Sequence, residues 1–368
     1  MDLIQAPAVR VRAKSRWNPS AVDRAITEAL LTSRRIPSTM VVLHEGEPIG
    51  LVRGDSTGEV STFKHITRKQ WCGFTGYADM DAEAKNGKLT RITWLKDTSG
   101  WNSSNQWADV WPTTGNPTSG TYAGAANTAR QFDHTTVGGL WTRGVLPAAS
   151  ETKHLAAWSF AVVGTSSIRS VIIYDRVLTY DGASISTTPT TLTNTLPALR
   201  YIGAGQDGLL MCVTATAVLG AAASALSALT LTDQLGNTGV AIGAGYTLNW
   251  FTGAAAPSTT APAFVVLPFD MTNLITQTPF LPLPGGVSGV RKIEAFTSSA
   301  NNTGTVCFGL YKPVGTMWGR ESMVNRQQLS RSMFTLERIF DDACLSFLVA
   351  QSNSGLDTMQ GKIEMVHG

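Results

Sequence analysis

Residues 209–231 read LLMCVTATAVLGAAASALSALTL, a run without a single charge, long enough for one helix to cross a bilayer. The competing reading is two buried strands joined by a small-residue connection. The flanks decide between them. Asp207 and Asp233 stand where Lys or Arg would anchor a membrane helix, no aromatic residue sits beside the run, and Thr and Ser recur inside it. Membrane helices have basic flanks and aromatic belts, so we read strands over Leu210–Val218 and Ala228–Thr232.

Working outward, the same β pattern recurs over Arg91–Lys96, Leu155–Val163, Ser170–Tyr180, Phe264–Leu267, Val290–Phe296, Thr305–Tyr311, Met333–Phe340, Cys344–Val349 and Lys362–Val366. Turn-forming clusters separate these segments, among them Asp97–Gly100, Asp233–Gly239 and Pro284–Gly286. Met40–Leu43 and Ile49–Val52 flank His44–Pro48 as a hairpin. Many short strands with turn signals between them indicate antiparallel sandwiches rather than alternating β-α units. Only the N-terminus departs from this. Asn18-Pro19 reads as a cap and first-turn proline, and Val22, Ala25, Ile26, Ala29 and Leu30 recur at helical spacing, giving a helix over Ser20–Arg34. The expected fold is mainly β, with β-sandwich or jelly-roll-like domains behind a short N-terminal helix and a basic arm.

Composition divides the chain. Charged residues make up 15% of 368 positions and hydrophobic residues 43%, against about 25% charged in an ordinary domain. Such a chain has the apolar content to fold but lacks the charged surface of a freely soluble enzyme. From Asp181 through Val290 the only base is Arg200, and the only acids are Asp181, Asp207, Asp233 and Asp270. A β surface so bare of ions does not oppose association. The expected division is 1–38 as basic arm and amphipathic helix, 39–180 as a Trp-rich β domain, 181–197 as a Thr/Ser/Pro-rich linker, and 198–368 as a charge-poor β-sandwich domain.

The residue patterns of catalysis and metal binding are missing from the sequence. Five histidines, at positions 44, 65, 134, 154 and 367, show no metal-ligand spacing, and no Gly-x-Ser-x-Gly elbow occurs. Cys72, Cys212, Cys307 and Cys344 lie far apart, which suits a reducing cytosol and encodes neither a zinc module nor a disulfide framework. Gly203–Gly208 matches GxGxxG, but a strand pattern follows where a phosphate-binding helix should begin. Asp79, Asp81 and Glu83 alternate as a calcium loop would, without its glycine and terminal glutamate, and read as a solvated acidic turn. Arg53-Gly54-Asp55 reads as turn chemistry. We therefore expect no enzyme activity, no cofactor and no metal. The N-terminus has no signal-peptide pattern.

Two features point to contacts. Arg10, Arg12, Lys14 and Arg16 alternate with small residues, an extended arm suited to anchoring on a neighbouring subunit by strand addition or salt bridging. The net charge of +3 is too small for a protein that tracks a polyanion, and nucleic acid is not an expected partner. Of ten tryptophans, Trp101, Trp107 and Trp111 fall in one polar, turn-rich stretch. Tryptophan offers a flat apolar face with one polar handle. These three are candidate subunit contacts or core, with glycan stacking as the functional alternative.

Several phrases are shared with a known group of proteins: Leu199–Met211 (LRYIGAGQDGLLM), Leu226–Gly239 (LSALTLTDQLGNTG), Leu281–Glu294 (LPLPGGVSGVRKIE), Arg338–Phe347 (RIFDDACLSF) and Gly361–Gly368 (GKIEMVHG). With Trp94, the Trp107–Pro117 stretch and Thr152–His154, they resemble a family of tailed-bacteriophage virion structural proteins, of capsid-associated, decoration or collar type. The resemblance carries no active-site residue. It implies a protein of the virion, assembled in the host bacterial cytoplasm, partnered with copies of itself and with the major capsid or other virion proteins. A tail or baseplate component and a glycan-binding receptor module are the alternatives. The Ser20–Arg34 helix is too short and too early for the spine helix of a major shell protein.

Overall fold

The computed structural model describes residues 10–11, 40–44, 47–54, 60–65, 82–98, 107–141, 153–163, 168–193, 199–202, 208–217, 219, 224–242, 248–251, 264–266, 278–318, 325–329, 338–351 and 358–368. The fold is mainly β. In chain order the first strands are β1 (Arg10–Val11), β2 (Met40–His44), β3 (Glu47–Gly54), β4 (Val60–His65), β5 (Leu89–Asp97), β6 (Trp107–Asp109), β7 (Gly115–Asn116) and β8 (Ala129–Gln131). Next come β9 (Leu140–Trp141), β10 (Lys153–Val163), β11 (Ile168–Ser184), β12 (Thr190–Thr191), β13 (Leu210–Ala215), β14 (Ser224–Asp233), β15 (Val240–Ala241) and β16 (Leu248–Phe251). The last are β17 (Phe264–Val266), β18 (Val290–Ser298), β19 (Thr305–Trp318), β20 (Asn325–Leu329), β21 (Arg338–Ile339), β22 (Cys344–Gln351) and β23 (Thr358–His367).

The run that opened the sequence reading forms β13 and β14, two strands in different sheets. Among the described residues no helix is long and apolar enough to cross a membrane. The strand expected over Met333–Phe340 is described only from residue 338, where β21 lies, and the Ser20–Arg34 helix lies outside the described residues.

The chain divides into two compact units, residues 1–88 with 331–336 and 367–368, and residues 89–330 with 337–366. The first holds a four-stranded sheet in the order β1-β2-β3-β4. Its β2–β3 hairpin pairs Met40 with Val52 and His44 with Glu47, as the sequence predicts, and β1 joins β2 in parallel.

In the second unit the pairings β11–β19–β13–β17–β6–β22 return to β11, so six strands close into a ring. The ring pairings are antiparallel. Successive side chains on a strand point to opposite faces, so each ring strand serves two cores. A six-stranded sheet, in the order β20-β10-β23-β5-β7 with β21 beside β10, packs on one outer side. The core there joins Val171, Ile173, Phe347 and Val349 of the ring to Trp94, Leu155, Trp158 and Ile363. The five-stranded sheet β12-β18-β14-β15, with β16 beside β14, covers another side. There Leu178, Val213, Phe308 and Leu310 meet Leu229, Leu231, Ile293 and Phe296. Each such side chain contributes about 1.5–3 kcal/mol when fully buried.

Strand β11 passes from one core to the other, and a bulge makes the transition. The register with β19 shifts between Arg176 and Leu178, leaving Val177 as the extra residue. Val177 and Leu178 consequently both enter the same core, as an inserted residue reverses the facing of everything after it. A second shift, between Ile173 and Tyr174, falls opposite Pro313 and Val314 of β19. Proline is tolerated within strands at such bulges.

Of residues 181–197, expected as a linker on their Thr, Ser and Pro content, the described part, 181–193, takes part in the sheets and core of this unit. Asp181–Ser184 end β11, Thr190–Thr191 pair with Phe296 and Ala295, and Ile185 and Leu192 are core residues. Composition misleads here because the Thr and Ser side chains occupy a sheet edge, where their polar groups remain wet while the alternate aliphatic residues are buried.

Candidate functional site

Inside the ring lies a charge. Ile172, Tyr174 and Arg176 alternate along the inner face of β11, and Arg176 is completely buried. A buried guanidinium requires a partner, and Asp109 at the end of β6 supplies it through a direct contact with Arg176 Nη2. Asp109 is saturated by further donors: the Tyr174 hydroxyl at 2.8 Å, the Trp111 backbone N–H at 3.0 Å and the Tyr122 hydroxyl. Rings complete the enclosure. Trp111, Tyr311, Tyr122, Phe132 and Tyr174 surround the guanidinium carbon at 4.6, 4.9, 5.1, 5.3 and 5.8 Å. Arg176 Nε and Nη1 have no hydrogen-bond acceptor, and aromatic faces are what surrounds them, an arrangement favourable for a desolvated cation. Tyr311 stacks on Tyr174 with centroids 4.4 Å apart. It lies so close over Gly309 that a Cβ there would enter its ring.

The neighbouring residue of β11 anchors a second cluster. Asp175 accepts Arg200 Nε at 3.0 Å and Nη2 at 2.9 Å, a bidentate pair, and the Cys344 N–H at 2.8 Å. Arg200 also reaches the Phe132 carbonyl and Asp342, so one side chain ties β11, the segment after β8 and the turn before β22. Further along, Asp181 accepts the Thr179 hydroxyl at 2.8 Å, the Gly124 N–H at 2.9 Å and the Cys307 thiol.

Electrostatically these groups are held in one state each. Burial pushes the Tyr122, Tyr174 and Tyr311 hydroxyls far up from their ordinary value, and likewise the thiols of Cys212, Cys307 and Cys344. Such thiols resist ionisation, and the thiolate is the reactive form. Burial acts to lower the Arg176 pKa, and the Asp109 carboxylate together with the surrounding tyrosines raises it well above its ordinary value and holds the cation. Burial raises Asp175 against the opposing pull of Arg200. Lys96 differs: burial lowers its ammonium to about 8 while its Nζ donates to the Thr113 carbonyl at 3.1 Å and the Thr118 carbonyl at 3.4 Å. The arrangement fixes strands and loops to one another; its chemistry is that of a clamp.

The sequence-predicted contact residues divide. Trp107 and Trp111 are 5% and 0% exposed, Trp107 inside the ring and Trp111 against Phe132 and Cys344. This corrects the glycan-platform reading for both, because neither ring has a face left for a sugar. Trp101 lies outside the described residues, as do Arg12, Lys14 and Arg16; Arg10 sits in β1, opposite Leu43. Asp79 and Asp81 are also outside, and Glu83 pairs with Lys88 at 2.7 Å. Among the described residues no group of His, Cys, Asp and Glu is placed to hold a metal ion.

The described charges of the 181–290 stretch, Asp181, Arg200 and Asp233, are all buried. Among the described residues of that region, what is exposed is neutral. Asp233 accepts the Leu235 and Asn237 N–H groups, each at 2.9 Å, which fixes the β14–β15 turn and holds Leu235 out at 71% exposure. A second loop repeats the device: Asp133 accepts the Thr135 N–H at 2.8 Å and Val137 stands 66% exposed. Sequence reasoning passed over Leu235 and Val137, although an Asp two to four residues before a lone aliphatic and a glycine is a legible turn signal. It also passed over Asp109 and Arg176. The signal for Arg176 was the Asp175-Arg176 pair inside the apolar strand Ser170–Tyr180, where charges demand buried partners; the sequence around Asp109 carries no such mark.

No family model matches the chain, and no curated protein matches it. Among solved structures, the infectious bursal disease virus VP2 subviral particle is similar at 10% identity over 76% of this chain and 80% of that one, with a TM-score of 0.16. The structure of the Gt strain of the same virus gives 9% identity over 76% and 81%, with a TM-score of 0.17. TM-scores of this size carry no argument about this chain.

Proposed function

We propose that this protein is a non-enzymatic structural component of a tailed-bacteriophage particle, a capsid-associated protein of decoration, cement, vertex or collar type. It works by contact, with copies of itself and with the major capsid or other virion proteins, after assembly in the host cytoplasm. The observation that carries the reading is the inward placement of Asp181, Arg200 and Asp233. Among the described residues, a stretch already poor in charge spends its ions on internal clamps. Leu235 in that stretch, and Val137 on a separate loop, each on a turn locked by an aspartate, are pre-ordered apolar points on the surface. Ordered loops bind at lower entropic cost, and weak contacts repeated over many copies sum to avidity. The resemblance of the phrases from Leu199–Met211 to Gly361–Gly368 to those of virion proteins favours the particle as the place.

The test is incorporation. Purified protein added to capsids that lack it is followed by sedimentation and by projection images of labelled particles, with multi-angle light scattering on the free protein. Symmetric oligomers and particle-bound density are expected. A monodisperse monomer at high concentration, with no binding to capsids, overturns the proposal.

A further inference from the structure

The four-stranded sheet of the first unit has an edge built by an unusual partner. Strand β1 is two residues long and runs parallel to β2, with Arg10 opposite Leu43 and Val11 opposite His44. β2 extends back to Met40, and the described part of β1 faces only Leu43 and His44. The arm's strand pattern continues past these two residues. From Val9 to Arg16 the sequence VRVRAKSR alternates a basic residue with a small or apolar one at every step, the period of a strand with one charged face. A parallel pairing of two residues within one chain must close a loop of 28 residues, at an entropic cost that grows with loop length. Few hydrogen bonds offset that loss, since each is worth about 0.5–1.5 kcal/mol net and fixing a backbone residue costs about 1–2 kcal/mol.

We infer that in the assembled state the β2 edge is occupied by the arm of a second copy, in this same register. The inference rests on the assembly reading above. Exchange of an identical element between copies is a low-cost route to oligomers, because the contact formed is the one the single chain makes. The connection is long enough: its 28 positions between Val11 and Met40 reach about 90 Å extended, at roughly 3.3–3.6 Å per residue. Even with Ser20–Arg34 helical at about 1.5 Å per residue, the arm reaches an adjacent subunit. Charge favours the same edge. Continued in this parallel register, Arg12, Lys14 and Arg16 would follow Val11 past His44, where Glu45 comes next in sequence and Glu47 opens β3. Many copies held in one particle raise the effective concentration of arms at each edge, which a dilute chain lacks.

Two differently tagged full-length chains test this, one bearing Val11→Cys and the other His44→Cys, both with Cys72→Ser; Cys212, Cys307 and Cys344 are buried. They are co-expressed, oxidised and separated on a non-reducing gel. A reducible band containing both tags is expected, and a chain with Thr62→Cys on β4, the far edge of the sheet, is expected to give at least tenfold less. Equal cross-linking to Thr62→Cys overturns the register. Suppose instead that light scattering shows oligomers, no two-tag band forms, and the double variant Val11→Cys/His44→Cys closes within one chain. Then the arm stays at home, the inference falls and the assembly reading stands. A monomer by light scattering removes both.

Discussion

The inner and outer faces of the six-stranded ring are made from the same strands and are built on opposite principles. Outward, Val171, Ile173, Val213, Leu310 and Phe347 enter apolar cores where side chains of similar volume pack tolerably. Inward, Tyr174, Arg176, Asp109 and Tyr311 meet through directed hydrogen bonds and ring faces. The outer faces supply most of the burial energy. The inner face decides which register the strands take, because a slip of one residue on β11 would strand Arg176 in an aliphatic layer.

That contrast can be broken most forcefully at Arg176. Arg176→Met leaves Asp109 buried without its cation and is expected to destabilise by about 3–5 kcal/mol, read as a shift in denaturation midpoint. Adding Asp109→Leu to the same chain is expected to recover most of the loss, since no buried charge then remains; a double variant as weak as the single one would mean that the clamp acts through packing alone. On the outer face, Leu310→Ala is expected to cost about 2–5 kcal/mol through lost transfer energy and a residual cavity, and no second substitution at Asp109 should change that figure. Gly309→Ala probes the inner face by volume. Its new Cβ meets the Tyr311 ring, and about 1–3 kcal/mol is expected, with Gly309→Ala/Tyr311→Leu milder than Gly309→Ala alone.

Lys96 sharpens the comparison through pH. In the folded chain its ammonium titrates at about 8, in the unfolded chain near about 10.4. Between these values the unfolded state binds more protons, so stability rises with pH. Relative to Lys96→Met, the unaltered protein should therefore gain stability from pH 8 to about 10 and show a constant difference below pH 7. A difference that falls over that window would contradict the burial of the ammonium. The smallest effect is expected at Leu235. Leu235→Ser should change stability by less than about 0.5 kcal/mol, as an exposed substitution does, while weakening self-association in sedimentation velocity.

Much of the fold was legible in the sequence because strand alternation is local. The flanking aspartates separated β13 and β14 from a membrane helix, and the hairpin of β2 and β3 follows from its own turn. What was illegible is non-local. Ring closure depends on β22 reaching β11, the extra residue Val177 leaves no compositional mark, and the partner of Arg176 lies on a strand of three residues. The tryptophans show the limit most plainly: Trp107 and Trp111 stand among Asn, Ser and Gln in sequence, yet neighbours distant in the chain bury them. The low charge content, in contrast, was legible, and the structure adds that Asp181, Arg200 and Asp233 of the charge-poor stretch are turned inward.

Ring closure also sets a schedule. Ile172 must wait for Leu348, so a ribosome has to deliver residue 351 before β11 acquires its second neighbour along Ile168–Asp175. Throughout that interval a long apolar edge stands open on the nascent chain. The maturing chain therefore depends on slow elongation being followed by rapid closure, or on a chaperone that guards the edge. Raising the synthesis temperature should waste more of this protein in inclusion bodies than its final stability would suggest.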